Sequence, residues 1–577
     1  MTKEIIESDV LIIGGGCAGD FAALKAAQAG ASVVLIDKTN VKSAGATGMC
    51  GGMDHFPAVR PPDGTILKDP NQALPTIEEL AKNRTEALCG ADAIYPLPFM
   101  ENITYQDSWD IVLELEEMGV KMREEDGSAW IIYQPEIGWA TLMMRGAEKG
   151  AELMYKLAQA LKKQGVKVFN RTMAVDLLTH DGAVTGAVAV DVRTGGIKVI
   201  KAKSVVVATG VTTRQYIGEP GLPSLFCQFG PPSADGSSHA LPYRAGAEIV
   251  NCEFVSVTVG NKGGKVPFNG GGAFSIWEPG TPPPRLVNAK GEAVIPEGTF
   301  GSLVDELNEV QMVDAEAKKG NGPFFLDCRH LSEEQIQQIE RCFAHEGPIA
   351  LKWMKELGID LRKDLLEYHI VYDNGYGGVY VDANEQSTIK GLFAAGDATG
   401  GDSGLSGACV FGARAGRNAA KYASEVGEVA IDDEQVKTIE EIINAPLKMK
   451  NGYKPLDVET EARSVMTKYA GLHRTEESLK NALQTIMRLN EKVMPKVSAK
   501  NPHELMRAME LRNIMLTCEM TLRAGLERRE TRIGGFEQMH VRDDYPETKP
   551  EFNKLLSVRK VDGEMKVAFT DKTWQWR

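Results

Sequence analysis

Three glycines at the spacing Gly14-x-Gly16-x-x-Gly19, with Asp37 about 20 residues beyond them, point most directly to a chemistry. The glycines follow a short apolar run, Asp9-Val-Leu-Ile-Ile13, and open an alanine-rich stretch that reaches about Ala29. A second apolar run, Ser32–Ile36, ends at Asp37. Strand, glycine turn, helix and strand in that order make a βαβ unit. In this setting the glycines permit a tight turn, and the helix N-terminus turns its free N–H groups towards a diphosphate. Asp37 is placed to accept hydrogen bonds from an adenosine ribose. The chemistry is dinucleotide binding.

Two remote segments narrow the dinucleotide. Thr388-Ile-Lys-Gly-Leu-Phe-Ala-Ala-Gly396-Asp397 is a strand that delivers a glycine and an aspartate, suited to a pyrophosphate and a ribityl hydroxyl. Ser204-Val-Val-Val-Ala208-Thr209-Gly210 is another strand ending in a glycine that lets the chain turn against a cofactor. Three such segments converging on one ligand favour FAD over NAD. No second glycine-rich βαβ unit follows, so NAD(P)H binding within the chain is not expected. None of the nine cysteines forms a C-x-x-C pair. The sequence therefore offers no obvious ligand set for zinc or an iron–sulfur cluster. Scattered thiols of this kind are expected to be reduced, as in a cytoplasmic protein.

The elements that must position these residues are legible in outline. Helices are expected at 107–120 and 144–163, with residues 40–100 forming long loops over the cofactor. Alternating strands are expected at Val166–Asn170, Thr172–Leu178, Ala183–Asp191, Ile197–Lys201 and Ser204–Thr209. From about 230 to 370 proline and glycine rise, as in Asn269-Gly-Gly-Gly272, and helices are expected to stay short until about 333. This reads as an inserted domain with a mixed or antiparallel sheet. Strand character returns at Gly378–Val381 and Leu392–Ala395, and a helix runs from near Ser406 to about Ser424. Residues 434–530 are helical, and a charged tail after 535 is expected to wrap the surface. The fold class is α/β: a Rossmann-like FAD-binding domain with an inserted α+β capping domain and a C-terminal helical domain. The boundaries are 1–230 and 371–430 for the two parts of the FAD domain, 231–370 for the cap, 431–535 for the helices and 536–577 for the tail.

Bulk properties exclude some functions. A formal net charge of −14 argues against a nucleic-acid partner, which needs a basic face. No apolar run approaches the ~20 residues that cross a bilayer, and no leader peptide is evident, so a cytoplasmic location is expected.

The chain resembles the fumarate reductase/succinate dehydrogenase flavoprotein family over most of its length. Beyond the three cofactor segments, the likeness rests on Leu113-Glu-Leu-Glu-Glu-Met-Gly-Val120 with Asp126-Gly127, Ser233-Ala-Asp-Gly236 and Phe325-Leu-Asp-Cys-Arg-His-Leu331. Leu511-Arg-Asn, Arg529-Glu-Thr-Arg532 and His540-Val-Arg-Asp-Asp-Tyr-Pro546 complete it. The resemblance implies cofactor contacts from Gly14, Gly16, Ala18, Gly19, Asp37, Lys38, Ser43, Gly45, Ala46, Thr47 and Gly52. It implies others from Val175, Ala208, Thr209, Gly210, Asp235, Gly396, Asp397, Ser406, Gly407 and Ala408.

Three departures matter. Covalent members carry a histidine in the segment matching Lys42-Ser-Ala-Gly-Ala-Thr-Gly48, and none occurs there, so the FAD is expected to be non-covalent. The family's proton-delivering arginine is missing from Gly400-Gly-Asp-Ser-Gly-Leu-Ser-Gly-Ala408. Its H-Y-T-M-G-G histidine matches Asp373. The shortened loop and the Arg529–Arg532 tail look nearest to the adenylylsulfate reductase flavoprotein branch, whose P-H-K segment is also missing before Ser406.

Candidate catalytic groups are Asp373, Tyr376, Asp402, His239 and Arg244. His239 is either a general acid or a satisfied structural histidine. Arg145 either faces the flavin or is a helix-surface charge, and Met49, Met53, Met143 and Met144 line a pocket or fill core. Arg532, His540 and Arg542 are expected to tie the tail to the flavin domain, and Cys17 to be inert. The resemblance implies an FAD-dependent oxidoreductase that moves hydride between flavin N5 and a small organic substrate. It also implies a ferredoxin-like iron–sulfur partner. Adenylylsulfate reductase-like sulfur chemistry, or an electron-transfer or bifurcating flavin module without a substrate of its own, are the alternatives.

Overall fold

In a computed structural model of the chain, the residues described are 3–49, 55–57, 97–122, 131–134, 139–143, 149–217, 231–261, 284–296, 306–346, 348–399, 404–535 and 538–571. In chain order the first elements are β1 (Lys3–Ile13), α1 (Cys17–Gln28), β2 (Val33–Asp37), α2 (Gly45–Met49), β3 (His55–Pro57) and α3 (Leu97–Glu117). β4 (Ile131–Gln134), β5 (Trp139–Met143), α4 (Lys149–Lys163), β6 (Lys167–Asn170), β7 (Thr172–His180), β8 (Ala183–Asp191) and β9 (Ile197–Val207) follow.

β6, β2, β1 and β9 lie side by side and parallel, and β8 and β7 extend the sheet antiparallel. β1 is buried on both sides: Val10 and Ile12 face one core, Leu11 and Ile13 another. That is why residues 10–13 read as an unbroken apolar run rather than an alternation. The strands expected at 197–201 and 204–209 are one strand, because β1 pairs with β9 from Lys3↔Ile197 to Ile13↔Val207. The same pairing starts β1 six residues earlier than its apolar run, through mostly polar positions of which only Ile6 reaches the core.

The inserted segment holds α5 (Ser237–Arg244), β10 (Ile249–Val250), β11 (Val255–Asn261), β12 (Arg285–Val287), α6 (Glu306–Lys318), β13 (Phe324–Asp327), α7 (Glu333–Glu346), α8 (Pro348–Glu356) and β14 (Leu366–Gly375). α6 corrects the expectation of short helices before 333. Its charged sequence buries only a narrow stripe that includes Val310 and Val313, too sparse to stand out as a period. β15 (Gly378–Val379) and β16 (Leu392–Ala394) return the chain to the first sheet, where β16 pairs with the end of β9.

α9 (Gly404–Glu425) then packs across α1 at close range. A Cβ on Gly412 or Gly416 would stand 2.2 Å from the Ala18 or Ala22 carbonyl oxygen, so only glycine permits this approach. The packing carries the start of α9 to the glycine turn.

The helical region comprises α10 (Asp433–Lys448), α11 (Pro455–Ala470), β17 (His473–Arg474), α12 (Glu476–Lys492) and α13 (Pro502–Glu527). The tail corrects the expectation of a surface wrap. β18 (Arg532–Gly535) and β19 (Gln538–Arg542) join the capping sheet, ordered β12-β13-β14-β11-β19-β17. β20 (Leu555–Val561) pairs with β10 and with β21 (Glu564–Thr570). Arg532, His540 and Arg542 are buried, and Arg542 donates to the carbonyls of Gly525 and Arg528. They tie the tail to the helical region and cap rather than to the flavin domain. No described helix is long and apolar enough to cross a membrane.

Candidate active site

The turn after β1 is built from backbone. Gly14 takes φ +103°, and a Cβ on Gly19 would fall 1.8 Å from the Gly14 carbonyl oxygen, so neither position accepts a side chain. Asp37 closes the turn from the end of β2: its carboxylate accepts from the Gly15 N–H at 2.8 Å and from the Thr39 N–H and hydroxyl at 2.6 Å each. A carboxylate has about four acceptor sites, so capacity for a ribose hydroxyl remains. The two remote segments meet this turn. Ala208 N donates to Ile13 O at 2.9 Å, Ala395 N donates to Val207 O at 3.1 Å, and Gly396 lies against Ala18 and Ala408. Ser406 and Gly407 are buried in the first turn of α9.

Thr209 has a buried hydroxyl with no partner among the described residues, an orphaned polar atom at the mouth of the three converging segments. That orphan, with the glycine cradle and the free N–H groups of α1, fits FAD. When bound, FAD supplies a two-electron hydride acceptor and donor. Ser43, Gly45, Ala46 and Thr47 lie in the segment running into and through α2 beside this turn. Gly52 and Asp402 lie outside the described residues, as do Met53, Met144 and Arg145.

Lys38 and Asp235 belong to a cluster whose full extent the sequence concealed. Lys38 Nζ lies 3.2 Å from Asp235 Oδ1 and 2.8 Å from Glu510 Oε1, and these two carboxylates hold its pKa up against the cost of burial. Arg214 and Arg507 bridge Glu510 to Glu459 at 2.6 to 2.9 Å. Arg463 reaches Glu459 at 3.7 Å and donates to Tyr216 O. Glu510 is buried, which alone would raise its pKa, but Lys38, Arg214 and Arg507 pull it down to about 2. Asn513 donates to Asp235 Oδ2 at 2.9 Å and accepts from Arg244 at 3.0 Å. The visible signal for α13's part was the Leu511-Arg-Asn segment; nothing marked Glu510 or Arg214, which are 296 residues apart.

Of the described candidates, His239 and Arg244 share α5, and His239 meets the carbonyl of Tyr376, three residues beyond Asp373. Arg244 ion-pairs with Asp176 and donates to the Val175 carbonyl at 3.0 Å, both on β7 of the first sheet. His239 is buried; its Nε2–H donates to Tyr376 O at 3.2 Å and its Nδ1 accepts from Ser238 Oγ at 3.0 Å. Burial pulls its pKa to about 4, so the ring is neutral and the structural role fits it better than a general acid. Tyr376 packs with Val250, Phe254 and Leu555 in a small core. Asp373 lies on β14, two residues before Gly375, whose N–H donates to Thr212 O at 2.8 Å. Asp20, unmarked in the sequence, is fully buried on α1 with both oxygens unpartnered among the described residues, and burial raises its pKa well above the carboxylate range.

Over residues 9–410 the chain matches the family described as FAD binding domain, and over 459–574 the one described as Fumarate reductase flavoprotein C-term. It is 26% identical to a subunit of the Fumarate reductase (CoM/CoB) of Methanothermobacter marburgensis, across 97% of this chain and 99% of that protein. A Fumarate reductase flavoprotein subunit of Mycobacterium tuberculosis is 27% identical across 74% of this chain and 75% of its own. Adenylylsulfate reductase from Archaeoglobus fulgidus superposes with a TM-score of 0.80 at 22% identity, covering 100% of this chain and 98% of its own. At that identity the likeness is one of fold.

Proposed function

The chain belongs to the FAD-binding flavoproteins of the fumarate reductase and succinate dehydrogenase type and is an FAD-dependent oxidoreductase, and on that premise we propose a specific role. It is the catalytic flavoprotein subunit that moves hydride between FAD and a small activated alkene or its saturated product. The observation that carries this reading is the seam between cap and cofactor loop. Gly375 N donates to Thr212 O at 2.8 Å, and Thr212 Oγ1 donates back to Gly375 O at 2.7 Å. The seam brings the end of β14 to the loop that leaves Gly210, so a substrate under the cap would be closed off from water there. Asp373, on that strand, and Asp402, before α9, hold and move the proton. The fumarate reductase relatives support the alkene as substrate class.

The FAD is held without a covalent bond, since Lys42–Gly48 contains no histidine. Electrons are exchanged with a separate iron–sulfur protein in the cytoplasm, because the chain has no C-x-x-C pair to hold a cluster of its own. The domain limits at 230, 370, 430 and 535 are part of the same proposal.

The test is anaerobic reoxidation of the reduced holoprotein by a panel of enoates, unsaturated ketones and sulfur oxyanions. An enoate should reoxidise the flavin, and Asp373→Asn should slow that step about a hundredfold with flavin retained. Sulfur oxyanions are included because the adenylylsulfate reductase fold spans the whole chain. A response to them alone, or to nothing, would overturn the alkene reading.

A further inference from the structure

The Arg244 guanidinium is incompletely satisfied. Its Nε pairs with Asp176, and its Nη2 donates to Val175 O and Asn513 Oδ1 at 3.0 Å each. Its Nη1 is buried with no acceptor among the described residues. The other Asp176 oxygen is already taken by Arg512 at 2.9 Å. Through Asn513 and Asp235 the group connects to Lys38, Glu510, Arg214, Glu459 and Arg507. Leaving Arg463 aside, five cations in this connected cluster meet four carboxylates among the described residues. A buried donor without an acceptor and a cation without an anion are both costly. Such a deficit persists in a fold where a ligand makes it good.

The neighbours of the cluster identify the ligand. Lys38 directly follows Asp37, which closes the glycine turn, and its ion pair with Asp235 ties the cluster to the side of that turn where the cofactor sits. The ADP moiety of FAD carries a doubly charged diphosphate together with the acceptors of its ribose and adenine. We propose that Arg244 binds the ADP half of the cofactor, and that Arg512 and Asn513, on a helix remote in sequence, are positioning residues acting through it. The inference rests on FAD binding and is independent of the substrate.

The test uses flavin fluorescence on serial dilution of the holoproteins, with ADP as a competing probe. Arg244→Gln should weaken FAD and ADP by the same factor, about tenfold or more. Arg244→Lys, which keeps the charge and loses the fork, should recover part of it. Arg512→Gln returns an Asp176 oxygen to Arg244 and so lessens the deficit, weakening FAD by about threefold. Glu510→Gln deepens the deficit, so the flavin-free protein should melt lower while FAD raises its Tm by more than it does in the wild type. A structural role would make Glu510→Gln and Arg244→Gln weaken FAD alike, and that result would overturn the proposal. So would Arg244→Gln with unchanged FAD and ADP affinity and a fallen turnover, which would return Arg244 to proton chemistry. Arg512→Gln, at the more exposed end, keeps the test decisive if Arg244→Gln does not fold.

Discussion

The glycine turn at Gly14–Gly19 and the junction around Arg528 both hold chain segments together in the interior, by opposite means. The turn uses backbone: no side chain fits at Gly19, and helix N–H groups make the binding surface. The junction uses charge. Arg528 lies 2.6 Å from Glu253 and 3.0 Å from Glu530, donates to the Phe552 and Lys554 carbonyls, and sits against the rings of Phe254 and Phe569. His540 Nε2–H donates to the Arg528 carbonyl at 3.0 Å, so its Nδ1 accepts from Arg474. A backbone device must recur at fixed spacing, whereas an ionic device joins residues as far apart as 275 positions. The first is tuned to a ligand and the second to the chain itself.

The largest effect should come from breaking the junction. Arg528→Met leaves Glu253 buried without its cation, while Glu530 keeps Arg532, and should cost about 3–5 kcal/mol of stability. The urea midpoint would fall, while each folded molecule keeps its flavin. A stability loss under about 1 kcal/mol, taken as the midpoint shift times the denaturant slope, would erase the distinction between the regions. Gly19→Ala attacks the turn instead. The new Cβ meets a backbone oxygen that has nowhere to go, so FAD affinity should drop about a hundredfold, near 2.7 kcal/mol. The clash is present without flavin too, so the flavin-free protein should also lose stability, but less than Arg528→Met does; a loss as large would mean that the turn serves the fold as much as the cofactor.

This contrast also explains what could be read from the chain. Gly14, Gly19, Gly210 and Gly396 were legible because each answers a local demand of the backbone. The strand at β1 was legible as an unbroken apolar run, which the fold buries on both faces. Arg528, Glu253, Arg214 and Glu510 were not legible, since a charged residue in sequence looks the same whether it faces water or a buried partner. The tail misled for that reason: charges at Arg532, Arg542 and Asp544 suggest a surface, yet both arginines are buried on carboxylates. The Gly412–Gly416 pair on α9 was a local signal of close helix packing and could have been read.

The smallest effect falls on His239, which stands between the two regions. It sits on α5, whose last residue is Arg244 of the cofactor cluster, and it donates to the carbonyl of Tyr376, just beyond β14. Burial depresses its pKa to about 4 against an ordinary 6.5, with the Tyr376 carbonyl opposing the shift. Between those values the unfolded chain takes up a proton and the folded one does not. Stability from this group is therefore complete above about pH 6.5 and is lost as pH falls towards 4. From pH 7 to 5.5 the loss should be about 1 kcal/mol, read as a shift in urea midpoint, and His239→Gln should remove it. An unchanged loss in that variant would place the acid sensitivity elsewhere. Protonation adds its hydrogen at Nδ1 and leaves Nε2–H on Tyr376 O, so the contact at risk is the one from Ser238 Oγ within α5, and mild acid should loosen that turn before it releases flavin. Flavin released first at pH 5.5 would mean that the cofactor cluster, with its unmatched cation, is the weaker of the two regions.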